Sequence, residues 1–109
     1  MAITQSQTNP LNVLRMASGR YLDTGAAAAF TLTVGFKPRY IKVVNIGAGL
    51  ASIEWFEGMA DLSGVATAAT GDITVDVLTG FTVTSTGFTL GIQAAVNITN
   101  QQLTWIALG

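Results

Sequence analysis

Apolar and polar residues alternate with period two through much of this chain, most clearly in its C-terminal half. Ile73, Val75 and Val77 alternate with Thr74, Asp76 and Leu78; Phe81 and Val83 with Thr82 and Thr84; Phe88, Leu90 and Ile92 with Thr89 and Gly91; Leu103, Trp105 and Ala107 with Thr104 and Ile106. This is the period of a strand with one buried face. Thr79 with Gly80, Thr86 with Gly87, and residues 97–102 punctuate the runs and predict turns. Upstream, Phe30, Leu32 and Val34 alternate with Thr31 and Thr33 until Gly35 breaks the run. No amphipathic helix lies between these segments. The pattern predicts an all-β fold, an antiparallel β-sandwich of jelly-roll-like form or a small barrel. Each large apolar side chain buried contributes about 1.5–3 kcal/mol. The alternating faces therefore decide the fold more than the turns do.

The stretch FKPRYIKVVNIGAGLASIEWFEGM, residues 36–59, reads as strand, glycine turn, strand. Pro38 lacks a backbone donor and belongs at a strand start or an edge. Ile41 and Val43 fall on one face, with Tyr40, Lys42 and Val44 on the other. Gly47 and Gly49 are expected to supply the positive φ of the reversal. On the return, Ile53 and Trp55 share a face, opposite Ser52, Glu54 and Phe56. Both faces carry large apolar groups, so one packs in the core and the other is available to a partner. Lys42 and Glu54 are placed to pair across the strands and help set register.

Residues 1–20 are polar and weakly patterned, with Asn9 and Pro10 marking a turn or extended segment. They read as an N-terminal arm outside the single β domain of residues 21–109. The arm is either a free terminus or a strap over a neighbouring subunit. Ala26 to Ala29 are small enough for close approach of another chain. Residues 58–71 form a polar loop with a weak strand at 65–68, and Met59 and Leu62 are expected to fold over a core edge.

At 109 residues the chain is long enough to bury a core without staples, and it contains no cysteine. Charged residues make up only 10%, against about 25% in ordinary domains. A monomer this short of charge is poorly protected against association, and subunit interfaces are depleted in charge. All five basic residues precede position 43, and five of the six acids follow it. That segregation suits head-to-tail contact between copies as well as it suits solvated charge. It gives no nucleic-acid footprint. No apolar run reaches the about 18–20 residues of a membrane-spanning helix, and the first residues lack a secretory signal pattern.

Enzymatic chemistry is not expected. Without histidine, Ser-His-Asp and Cys-His catalysis are excluded, and metal binding falls to oxygen ligands. Glu54 and Glu57 are a weak carboxylate pair for glycoside chemistry. Asp61, Asp72 and Asp76 lack calcium-loop spacing. Tyr40, Trp55 and Trp105 would suit sugar stacking, but core or interface positions are the commoner use of such rings. No cofactor is expected.

Phe36, Pro38, Tyr40, Ile41, Val43 and Asn45, followed by Trp55, Glu57, Gly58 and Met59, the repeated GFTVTSTGFTLG, and a late segment around Trp105 resemble small virion structural proteins of tailed bacteriophages. The resemblance spans about residues 21–107. It implies a structural role, foremost a capsid decoration or cement protein, made in the host bacterial cytoplasm and resident on the phage head. Its implied partners are itself, as a homotrimer, and the major capsid protein, with no nucleic acid and no membrane. On this reading residues 1–20, through Leu11, Val13, Leu14 and Arg15, contact the shell. Tyr40, Phe56, Met59 and Leu62 contact other copies. The alternative is a tail, baseplate or fibre subunit with a receptor- or glycan-binding module.

Overall fold

The computed structural model describes residues 15–22, 28–47, 49–98 and 100–109. Leu11, Val13 and Leu14 lie outside them. The fold is all-β, as the alternation predicts. Eight antiparallel strands, β1 (Met16–Leu22), β2 (Phe30–Thr33), β3 (Tyr40–Asn45), β4 (Ser52–Phe56), β5 (Ser63–Thr67), β6 (Ile73–Val83), β7 (Gly87–Leu90) and β8 (Gln102–Leu108), form one sheet in the order β1-β8-β3-β4-β5-β6-β7-β2. The first strand pairs with the last and the second with the seventh, which is the nesting of a jelly roll. Strands β3 to β7 instead run as a meander.

The sheet curls into a half-barrel. Phe88 on β7 meets Trp105 on β8 edge-on, with ring centroids 5.7 Å apart. Tyr21 at the end of β1 stacks on Phe30 at the start of β2 at 4.1 Å. Inside the curl lie Phe30, Ile41, Val43, Ile53, Trp55, Phe81, Phe88, Leu90 and Leu103. Ile41 sits opposite Trp55, and Val43 opposite Ile53, as the alternation requires.

A buried amide ties the loops to this core. Asn45 Nδ2 donates to the Val96 carbonyl at 3.0 Å and to Gln101 Oε1 at 2.7 Å, while its Oδ1 accepts the Gly47 N–H at 2.9 Å. Gly49 takes the positive φ of the β3–β4 reversal, at 71°. Gly47 serves close approach instead, because a Cβ there would meet the Gln102 backbone at 2.9 Å.

Three expectations are corrected. Met16–Leu22 is a sheet strand, so the arm does not extend to residue 20. The weak strand expected at 65–68 is the five-residue β5, Ser63–Thr67. Thr79 and Gly80 do not reverse the chain. β6 runs 11 residues through them, and a register shift at Ser63 and Gly64 bends it instead. Gly80 is required at that bend because a Cβ would strike the Ser63 carbonyl.

Candidate functional site

The outer face of the sheet carries Tyr40 and Phe56, two of the residues singled out for contact. Cross-strand register aligns the residues of that face in rows, with directly opposed side chains about 4.5–5.5 Å apart. One row runs Met16, Leu108, Tyr40, Phe56 across β1, β8, β3 and β4. The next runs Ser18, Ile106, Lys42, Glu54, Val65, Val75 across six strands. Met16 is 59% exposed and Phe56 48%. Tyr40 and Phe56 pack ring against ring at 5.3 Å.

The Tyr40 hydroxyl donates to Glu54 Oε2 at 2.7 Å. Burial, that hydrogen bond and the charge of Glu54 together push the Tyr40 phenol up to about 12. Glu54 faces Lys42 in the expected register, but its carboxylate is bonded to Tyr40, and the ion pair at this end of the hairpin is Arg39 with Glu57 at 3.5 Å. Such an exposed pair contributes about 0–1 kcal/mol. Met59 packs against the core edge, and its sulfur accepts the Phe56 N–H at 3.4 Å. Arg15 precedes β1 and is exposed, and its carbonyl accepts the Gly109 N–H at 2.8 Å.

Tyr40 and Phe56 thus meet at one end of the outer face, Met59 lies beside Phe56 but packs against the core edge, and Arg15 precedes Met16 at the same end of the sheet. Leu62 does not join them. It sits at the β5–β6 bend, 47% exposed rather than folded over the core, with φ at 65° and its backbone bonded to Phe81 and Gly80. Trp55 and Trp105 face the interior, so neither offers a ring to a sugar; only Tyr40 of that trio faces outward. Glu54 and Glu57 are engaged with different partners, Tyr40 and Arg39. Among the described residues, no three carboxylates gather as a metal site, and no helix is long and apolar enough to cross a membrane.

Sequence reasoning missed the largest outward apolar group. Ile73, Val75, Val77 and Leu78 on β6 are between 63% and 76% exposed. Beside them, burial pushes Asp76 upward, but hydrogen bonds from the Thr79 hydroxyl, the Thr79 N–H and the Leu78 N–H outweigh it and hold the carboxyl below its usual range. Their alternation was legible, but nothing in it distinguishes a strand covered on one face from one covered on neither. Comparison with protein-family models, curated proteins and solved structures finds no match.

Proposed function

We propose that this protein is a structural subunit of a tailed-phage virion, a decoration protein that joins with copies of itself and with the capsid shell to reinforce the head. The observation that carries this reading is the outward apolar surface on a chain with only 10% charged residues, from Met16 and Phe56 to the β6 group. Such surface stabilises an assembly when neighbours cover it, because a partner that binds only the folded state shifts the equilibrium toward it. Residues 1–14 would reach the shell. Tyr40, Phe56 and Met59 would meet neighbouring copies.

Particles assembled without the protein and then supplied with it test the proposal. The expected result is saturable binding to empty heads and a higher temperature of genome release. Deletion of residues 2–14 should leave the fold intact and weaken that binding. Density for the protein on the tail alone, or failure to bind heads, would retire the reading.

A further inference from the structure

The sheet has two open edges that match. On β6, residues 73–76 pair with β5 on one side, while β7 pairs only with Phe81, Thr82 and Val83. No strand among the described residues covers the other side of residues 73–78. The hydrogen bond from Ala68 N–H to the Asp72 carbonyl, at 2.8 Å, sets the ladder phase. Bonded and non-bonded pairs alternate in an antiparallel ladder. Thr74 and Asp76 therefore turn their backbone groups to β5, and Ile73, Val75 and Val77 turn theirs outward. Natural sheets blunt such an edge with charge, proline or a short strand. Here the only charge within residues 73–78 is Asp76, whose carboxylate is drawn back to Leu78 and Thr79.

β1 ends the sheet at the other side. The Gly109 N–H to Arg15 carbonyl bond sets its phase. By the same alternation, Met16, Ser18, Arg20 and Leu22 direct their backbone groups away from β8, and their side chains are exposed.

We propose that the β6 edge of one copy pairs antiparallel with the β1 edge of the next, Val75 opposite Ser18, Ile73 opposite Arg20 and Val77 opposite Met16. Direction and face both fit. Five antiparallel pairings separate β1 from β6, so β6 runs opposite to β1 and a translated copy presents its β1 antiparallel. The outer row from Ser18 to Val75 then continues into Ser18 of the neighbour without turning the sheet over. Charge favours this partner. Pairing β6 with itself would place Asp72 and Asp76 of both copies at one seam with no basic residue on either strand, whereas β1 carries no acid and is preceded by Arg15, whose period places it on the same face as Asp76. A head-to-tail contact of this kind closes into a ring or extends as a filament.

This deepens the self-association half of the function proposed above, and it is read on the isolated protein, so it fails or stands separately from shell binding. The chain contains no cysteine, so single replacements report cleanly. Ser18→Cys and Val75→Cys proteins, mixed at high concentration with a short bis-maleimide, should yield a cross-linked dimer of the two variants, while neither alone does so above background. Efficient cross-linking of Val75→Cys with itself, or none in the mixture, overturns the proposal. Val75→Pro removes an outward N–H and spares the β5 ladder, so light scattering should show at least a tenfold weaker association with the circular dichroism of the fold retained. Val75→Lys gives the same readout should the proline variant not fold. Association equal to that of the unaltered protein in a folded variant also overturns it.

Discussion

Strand β3 and the first half of β6 carry the same kind of sequence and meet opposite fates. In β3, every second residue is buried: Ile41, Val43 and Asn45. In β6, Ile73, Val75 and Val77 alternate just as regularly and remain in the open. The difference lies first in the face, since Val43 belongs to the inward row with Ile53, Ala66 and Thr74 and Val75 to the outward row with Lys42, Glu54 and Val65, and then in the neighbours. β3 is flanked by β8 and β4 and roofed by the far side of the curl, whereas residues 73–78 have β5 on one side and lie before the bend that carries β6 over the core. Alternation specifies a strand and its two faces, and the surrounding sheet decides whether either is covered.

The sharpest way to break this comparison uses one residue type in both places. Ile53→Ala should cost about 2–5 kcal/mol, because Ile53 is fully enclosed. Ile73→Ala should stay within about 0.5 kcal/mol of the parent in the monomer. Denaturant unfolding at low protein concentration measures both, and equal losses would erase the distinction. Asn45→Ala should come next, at about 2–4 kcal/mol, since three hydrogen bonds lose a partner in the interior.

Trp55→Phe tests the same core more gently. The indole N–H of Trp55 is buried and has no partner among the described residues. Deleting an unpaired donor recovers about 1–3 kcal/mol of desolvation, and the smaller ring gives up packing, so the net change should stay within about 1 kcal/mol. Leu62→Gly should raise stability by about 0.5–1 kcal/mol by releasing a left-handed leucine whose side chain is half exposed.

Titration separates the two regions by pH. The folded Asp76 carboxyl lies below its ordinary value, so its contribution is present above about pH 4 and is lost as pH falls through the lower folded value. Amide exchange at Leu78 and Thr79 should rise in acid, and Asp76→Asn should remove that step. Tyr40 runs the other way. Its folded value is raised, so its contribution holds below about pH 10 and is lost as pH rises toward about 12. Alkaline unfolding should be less steep in Tyr40→Phe.

The pairing of β3 with β4 was legible, down to Lys42 opposite Glu54, because large residues of opposite character mark both faces, whereas the role of Gly47 in the turn and the Tyr40 bond to Glu54 were not. β1 was invisible for a physical reason. Its inward positions are Ala17, Gly19 and Tyr21, and Gly19 lies beneath the Trp105 ring, where a Cβ would come within 3.0 Å. Trp105 fills the space from the partner strand, leaving β1 no hydrophobic period to display. Thr79 with Gly80 misled in the opposite sense. A glycine selected for close approach to Ser63 has the same appearance in sequence as one selected for a turn. Of the residues expected at contacts, Tyr40 and Phe56 meet because they face each other across β3 and β4. Leu62 was expected over a core edge and lies exposed instead, because its backbone belongs to the β5–β6 bend.

The pairing of β1 with β8 imposes an order on biosynthesis. The Thr104 hydroxyl reaches the Gly19 carbonyl across 85 residues of chain. A ribosome must extrude β8 before β1 acquires any ladder, and before β3 gains its second neighbour. Until then the nascent chain holds the meander and the β2–β7 pair, with Val43 lacking its neighbour Trp105 and Phe88 lacking the ring it meets edge-on. Chains that end before β8 therefore lack both the ladder of β1 and the second neighbour of β3, so the end of translation is where the sheet gains its last two pairings.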